Sequence, residues 1–188
     1  ITQRLVEMMD GEISVESEEG KGSTFSVTTH GVEVAAVETV EGKEGKELDL
    51  ESISFEPATI LIADDIDYNR EMLTTYLDQY GFDFIYAENG REAIDQAKEH
   101  HPDLILLDMN MPGMNGLETS RAIRKLEAEL PVEHPYHSKP IPILVLISYN
   151  PGNRLKEFRK AGLNDFLYKP FQPEVVCKAL SKWIPVHA

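Results

Sequence analysis

Short runs of aliphatic residues alternate with longer amphipathic stretches from Pro57 onward. Runs of four or five apolar residues are typical of strands buried on both faces, and apolar positions spaced three or four apart indicate helices. The predicted strands are residues 59–63, 84–87, 104–107, 143–147 and 165–168. Alternation of this kind predicts an α/β fold, a doubly wound five-stranded parallel sheet with right-handed crossovers and helices on both faces.

The ends of the predicted helices carry recognisable signals. Asp67 is predicted to cap the first helix of this region, and Gly81 to end it. Gly162 is predicted to end the helix before the last strand, and Pro173 to begin the final one.

The first thirty residues follow a different pattern. Residues 1–9 are predicted to be the end of a helix that stops at Gly11. Residues 12–17 alternate polar and apolar side chains, residues 24–28 form a second strand, and the glycine-rich loop between them predicts a hairpin. A helix and one hairpin bury too little apolar surface to be stable alone.

Charge divides the chain near Pro57. Residues 1–56 hold 14 acidic and 4 basic residues, whereas residues 57–188 hold 19 and 14. Residues 31–56 lack a sustained hydrophobic period and are predicted to be an acidic linker, with Ile53 and Phe55 tethering its end to the next domain. The predicted domains are therefore 1–30, 31–56 and 57–188.

Composition excludes several classes of function. A formal net charge of −15 argues against nucleic-acid binding. No apolar run is long enough to cross a bilayer, so we expect a cytoplasmic location without direct membrane contact by these residues. The single cysteine, Cys177, excludes an internal disulfide and fits a reducing compartment, and a first residue other than Met predicts a piece of a longer protein.

Polar residues follow four of the predicted strands, and they are Asp64, Asp65, Asp108, Ser148 and Lys169. Because the strands are parallel, these residues should share one edge of the sheet, where open α/β sheets bind ligands. Two like charges about 4 Å apart repel by about 4 kcal/mol at an effective dielectric constant of about 20, so the carboxylates need a cation. All-oxygen ligands suit Mg²⁺, and Lys169 adds a point charge.

This set of groups favours phosphoryl transfer. An aspartate can attack phosphorus while magnesium and a lysine neutralise the phosphoryl oxygens. A lone Asp108 before the turn at residues 112–116 would more often be a capping residue, but the acidic pair, hydroxyl and lysine on neighbouring strand ends are hard to attribute to chance.

On these motifs, with Lys169-Pro170 as the last of them, residues 57–188 resemble a response-regulator receiver domain over their whole length. The resemblance implies a flavodoxin-like sheet of order 2-1-3-4-5 and a cofactor, Mg²⁺. The residues to which it assigns roles are Asp108 as phosphoacceptor; Asp64, Asp65, Asp108 and the backbone carbonyl of Asn110 as magnesium ligands; Lys169 as the phosphate-facing lysine; and Ser148 and Phe166 as the switch pair.

Residues 1–30 resemble the C-terminal end of a histidine-kinase ATPase domain. The resemblance lies in residues 5–11, 13–17 and 20–25, and the nucleotide-binding boxes of that family would lie upstream of Ile1. Together the two resemblances imply a receiver in a hybrid sensor histidine kinase, a transferase whose anchoring segments would lie elsewhere. The implied partners are a histidine kinase domain, a histidine phosphotransfer domain, or both.

Two alternatives remain at the level of sequence. An aspartate-nucleophile phosphatase would carry Asp-x-Asp, but position 110 is Asn and the general acid is missing. An interaction module that has lost phosphorylation is the second: Tyr149, which stands where receivers usually have a small residue, favours it, whereas the intact Asp65, Asp108 and Lys169 argue against it. Ile66 is a further departure, since receivers commonly have a polar residue there. The Tyr149 ring is predicted either to limit access to Asp108 or to face solvent on a partner-binding surface.

Overall fold

The computed structural model describes residues 6, 11–18, 22–29, 53–131, 139–148 and 152–187. The chain divides into two compact units, Ile1–Gly45 and Lys46–Ala188. Of the predicted helix at residues 1–9 only Val6 is described, and residues 31–52 of the predicted 31–56 linker and the predicted gate at Tyr149 lie outside the described residues.

The first unit contains an antiparallel hairpin. Strand β1 (Gly11–Glu18) pairs with β2 (Gly22–Thr29), and Ile13 lies opposite Val27 while Val15 lies opposite Phe25. This pairing confirms the predicted hairpin. Because side chains alternate between faces along a strand, those four apolar residues share one face. Phe25 is nevertheless 70% exposed, and Val15 and Val27 are each more than half exposed.

The second unit is built on a parallel sheet. Its strands are β4 (Thr59–Ala63), β5 (Asp83–Ala87), β6 (Leu104–Asp108), β7 (Ile143–Ile147) and β8 (Asp165–Tyr168), preceded in the chain by the short strand β3 (Ser54–Phe55). The order across the sheet is β5-β4-β6-β7-β8, with every neighbouring pair parallel. Numbered within this sheet alone, that order is 2-1-3-4-5, which confirms the predicted fold.

Five α-helices connect or follow these strands in the described residues: α1 (Asp67–Leu77), α2 (Gly90–His100), α3 (Gly116–Glu129), α4 (Leu155–Lys160) and α5 (Pro173–Leu180). Single 3-10 turns cover Asp78–Tyr80 and Gly152–Arg154. None of the helices in the described part of the chain combines the length and apolar content needed to cross a bilayer.

The sheet separates two apolar clusters. Ile60 and Ile62 of β4 pack into one cluster with residues of α1 and α5, such as Leu73 and Val176. The alternate β4 residues Leu61 and Ala63 pack into the other, with residues of α2, α3 and α4: Ala93, Ile123 and Phe158. A strand covered on both faces needs apolar side chains at every position, which explains the uninterrupted aliphatic runs.

The prediction that Asp67 caps α1 is wrong. The N-cap is Ile66, which makes no side-chain capping hydrogen bond, and Asp67 is the first helical residue. Its carboxylate instead accepts a hydrogen bond from the guanidinium of Arg70. A charged donor within one helical turn competes successfully for the carboxylate, since charge-assisted hydrogen bonds are stronger than neutral ones.

Residues before Pro57 contribute to the second unit. Strand β3 pairs antiparallel with β9 (Val186–His187) near the end of the chain. Phe55 is 7% exposed and lies in the cluster that α1 and α5 cover. The predicted tether by Ile53 and Phe55 is confirmed, because Ile53 packs against the same cluster.

Candidate functional site

Two neighbouring strands bring three carboxylates together. Ala63, the last residue of β4, pairs with Leu107 of β6, so Asp64 and Asp108 follow at the same edge of the sheet. Carboxylate oxygens of Asp64, Asp65 and Asp108 all lie within 4.8 Å of one another. Asp64 is fully buried and Asp108 is 5% exposed, whereas Asp65 is exposed to solvent.

Lys169 reaches this cluster from the end of β8. Its backbone N–H donates to the Ile147 carbonyl at 2.7 Å, and the Lys169–Pro170 peptide bond is cis. The ammonium Nζ lies 2.7 Å from Oδ2 of Asp64 and 2.9 Å from Oδ1 of Asp108. The lysine therefore bridges the two buried carboxylates.

The pKa values of Asp108 and Lys169 respond to burial and to this bridge. Burial raises the pKa of Asp108, and the hydrogen bond from Lys169 offsets only part of that rise. Burial alone would lower the pKa of Lys169, but its hydrogen bonds to Asp64 and Asp108 and the negative charge of those carboxylates together outweigh burial and raise it. Lys169 thus remains a cation at neutral pH, and the Asp108 carboxylate is more basic than an exposed one.

Asn69 is a residue of this site that the sequence patterns missed. Its Nδ2 lies 2.9 Å from Oδ1 and 3.0 Å from Oδ2 of Asp64, and the Ile66 backbone N–H donates to Oδ1 at 3.0 Å. With the Lys169 bond, both oxygens of Asp64 have donors, so neither oxygen of this buried carboxylate lacks a hydrogen-bond partner. An amide in the first turn of the helix that follows an acidic pair was the available signal.

The turn after β6 holds Asp108 in place. A Cβ atom added at Gly116 would lie 2.6 Å from the Asp108 backbone oxygen, so only glycine allows this approach. Asn115 caps α3 in a reciprocal capping box with Glu118. The backbone N–H of Asn110 donates to the Asp108 carboxylate, which opposes the rise in the pKa of that group.

The two predicted switch residues, one following β7 and one within β8, make no hydrogen bond to Asp108 among the described residues. Ser148 follows β7 and is exposed, and no hydrogen bond joins it to Asp108 among the described residues. Phe166 is half-buried in β8, with its ring 5.4 Å from that of Tyr168 in an edge-to-face arrangement.

The donor set at this edge suits a hard divalent cation. The three clustered carboxylates supply oxygen ligands, and no sulfur or imidazole belongs to the cluster that the described residues form. Oxygen-only donors are what Mg²⁺ prefers. A buried carboxylate, a lysine and clustered oxygen ligands together suit the binding and transfer of a phosphoryl group.

Comparison with known protein families gives one match that covers most of the chain. The family model described as the response regulator receiver domain matches residues 60–181. The aerobic respiration control sensor protein ArcB of Escherichia coli is 31% identical over 183 residues, which cover 97% of this chain and 22% of that protein. The chain therefore spans about a fifth of the length of this relative.

Solved structures resemble the second unit. The chemotaxis protein CheY4 of Vibrio cholerae is 31% identical, with a TM-score of 0.60 over 68% of this chain and 99% of its own. The receiver of the Pseudomonas aeruginosa sensor histidine kinase PA1611, which holds magnesium in its active site cleft, is 26% identical with a TM-score of 0.54, over 68% and 98%. The Ssk1 receiver of Saccharomyces cerevisiae, crystallised with the histidine phosphotransfer protein Ypd1, is 26% identical with a TM-score of 0.60, over 69% and 90%.

Proposed function

The chain belongs to the response regulator receiver domain family of two-component signalling, and we propose that Asp108 accepts a phosphoryl group from a phosphohistidine. The observation that carries this proposal is the lysine bridge: Lys169 Nζ contacts both Asp64 and Asp108 beside the exposed Asp65. A buried carboxylate with a raised pKa, held by a cation at a strand end, is suited to nucleophilic attack on phosphorus.

Magnesium is the proposed cofactor. Asp65, Asp108 and the backbone carbonyl of Asn110 would hold it, together with Asp64, whose oxygens already accept hydrogen bonds from Asn69 and Lys169. The bound ion would neutralise charge on the phosphoryl oxygens. The clustering of Asp64, Asp65 and Asp108 within 4.8 Å supports this assignment.

The chain's own groups account for the transfer step. An Oδ atom of Asp108 forms a bond to phosphorus as the bond from phosphorus to the imidazole nitrogen breaks, and that nitrogen keeps the electron pair. Lys169 stays protonated, because its pKa is raised, and moves from pairing carboxylates to pairing the transferred phosphoryl oxygens. The product is an acyl phosphate on Asp108.

A conformational response would follow through Ser148 and Phe166. The Ser148 hydroxyl is exposed at the end of β7, next to the strand that carries Asp108, so it is free to turn toward a phosphoryl oxygen. Phe166 is half-buried on the next strand and would fill the space that Ser148 leaves. The surface around β7 and β8 would then differ between the two states.

The proposed partners are a histidine kinase domain, a histidine phosphotransfer domain, or both. The relative ArcB is a sensor protein, and the structurally similar Ssk1 receiver was crystallised with a histidine phosphotransfer protein. We propose that these residues belong to a hybrid sensor histidine kinase. Residues 1–30 would be the end of its ATPase domain, joined by the linker at residues 31–56 to the receiver.

Phosphorylation by acetyl phosphate tests the function directly. The parent chain, without substitutions, should incorporate phosphate when Mg²⁺ is present and should incorporate none in EDTA. Asp108→Ala should incorporate none in either condition. Asp65→Asn should bind Mg²⁺ more weakly while remaining folded. Labelling that persists in Asp108→Ala would place the acceptor elsewhere. A parent that takes up no phosphate from acetyl phosphate or from a phosphorylated histidine phosphotransfer domain would instead favour the interaction module.

A further inference from the structure

Arg70 is a buried arginine that lies one helical turn beyond the acidic pair. Its side chain is 9% exposed. The guanidinium donates to the backbone carbonyl of Asp64 and to the carboxylate of Asp67, and it lies 3.3 Å from Oε1 of Glu88. One side chain therefore joins the end of β4, the start of α1 and the loop after β5.

The carbonyl that Arg70 holds belongs to the peptide group between Asp64 and Asp65. Asp64 has further supports, since Asn69 and Lys169 hold its carboxylate. Asp65 has none of this kind: within the described ranges, no hydrogen bond or ion pair restrains its exposed side chain. The position of the Asp65 carboxylate therefore depends on its backbone, and the guanidinium of Arg70 fixes the peptide plane from which that side chain extends.

We propose that Arg70 is a positioning residue for the divalent cation, acting through the Asp64–Asp65 peptide group; this inference rests on the proposed function. The guanidinium is planar and presents donors in a rigid fork, so it can hold three acceptors at fixed angles. Lysine carries the same charge on a single flexible ammonium and cannot reproduce that fork.

Charge and positioning predict opposite effects when Arg70 is removed. Loss of a positive charge beside an acidic cluster should tighten the binding of a divalent cation, because repulsion between the two cations disappears. Loss of positioning should weaken binding, because Asp65 no longer starts from the ligating orientation. Removal of groups that orient metal ligands typically weakens metal binding about 10- to 100-fold.

The experiment measures Mg²⁺ binding to the unphosphorylated chain by isothermal titration calorimetry. We expect Arg70→Met and Arg70→Lys each to raise the dissociation constant about tenfold. The rate of labelling by acetyl phosphate should fall at low Mg²⁺ and return to the parent's rate at saturating Mg²⁺, since no reacting group is lost. Arg70→Lys keeps the positive charge, so its Mg²⁺ dissociation constant still tests the positioning role if Arg70→Met fails to fold.

Arg124 of α3 provides a matched control away from the carboxyl ends of the strands, because it contacts the turn that precedes β8. It too is largely buried, donates to a backbone carbonyl, that of Gly162 at 2.7 Å, and pairs with a carboxylate three residues away, that of Glu127. Arg124→Met should lower the stability of the fold and leave the Mg²⁺ dissociation constant unchanged. A similar loss of Mg²⁺ affinity in Arg124→Met would mean that general loosening, not Arg70, explains the result.

Different results would contradict the positioning role of Arg70 and the proposed metal site on which that role rests. Unchanged or tighter Mg²⁺ binding by Arg70→Met, or full affinity in Arg70→Lys, overturns the positioning role while leaving phosphorylation of Asp108 intact. Mg²⁺ binding by Asp65→Asn that equals the parent's would show that the metal site itself is misplaced, whatever Arg70 does.

Discussion

The bridge that Lys169 forms between two buried carboxylates should stabilise the fold as well as serve chemistry. Its Nζ lies 2.7 Å from Asp64 and 2.9 Å from Asp108. Lys169→Met leaves both carboxylates without their shared cation, and removing one member of a buried ion pair costs about 3 kcal/mol. We expect that loss in urea unfolding with EDTA, and a partial recovery when Mg²⁺ replaces the missing charge.

A surface lysine provides the control for this prediction. Lys182 pairs with Asp165 at 2.8 Å but is largely exposed, so Lys182→Met should change the unfolding free energy by less than about 1 kcal/mol. Equal effects of the two substitutions would contradict a stabilising role for the Lys169 bridge.

The raised pKa of Asp108 gives a stability effect with a definite sign. The folded protein holds this proton more tightly than the unfolded chain does, because burial raises the pKa above its ordinary value of 3.8. Ionisation of Asp108 therefore lowers the unfolding free energy as the pH rises from that ordinary value through the raised one.

Asp108→Asn should reverse that loss. In EDTA at neutral pH we expect the variant to be more stable by about 1 kcal/mol, the scale of most single substitutions, because Lys169 keeps its pairing with Asp64 and no buried cation is left alone. The gain should shrink as the pH falls through the raised pKa and vanish below pH 3.8, where the carboxyl of the parent is protonated in both states. Urea unfolding at several pH values measures the difference, and a gain that grows toward low pH would refute the sign.

At the scale of elements, the β1–β2 hairpin is the part we expect to open most readily. Val15, Phe25 and Val27 are each more than half exposed, although they share one face of the hairpin. A two-stranded hairpin whose apolar side chains are largely exposed has little to oppose local opening. Amide hydrogen exchange in the dilute chain should be fast in β1 and β2, and slow in β6 and β7, whose residues are all buried. Slow exchange in the hairpin would indicate that another surface covers it.

At the scale of the whole molecule, the charge pattern and the packing place the start of the receiver unit at different residues. The charge pattern places it near Pro57, whereas the compact unit begins at Lys46 and includes the buried Phe55. A chain of residues 57–188 loses Phe55 and the β3–β9 pairing, and loss of a buried Phe costs about 3 kcal/mol. Urea unfolding should show residues 46–188 to be more stable than residues 57–188 by that amount; equal stabilities would support the boundary at Pro57.

Local patterns in the sequence determined the type and order of the elements. The aliphatic runs 59–63, 104–107 and 143–147 reappear as strands within one residue, because a strand covered on both faces requires apolar side chains at every position. The placement of Asp64 and Asp108 at one edge follows from the same reasoning, since parallel strands end on the same side.

Tertiary structure alone decided which of these groups touch. Lys169 is 105 residues from Asp64 and 61 from Asp108 along the chain, yet it contacts both, and no local pattern encodes those distances. No local pattern encodes the hydrogen bond from Arg70 to the Asp64 carbonyl or the pairing of β3 with β9 either. Periodicity reports which face of an element is buried, whereas a contact depends on side-chain direction and on how separate elements pack, and these are defined only when the whole unit has folded.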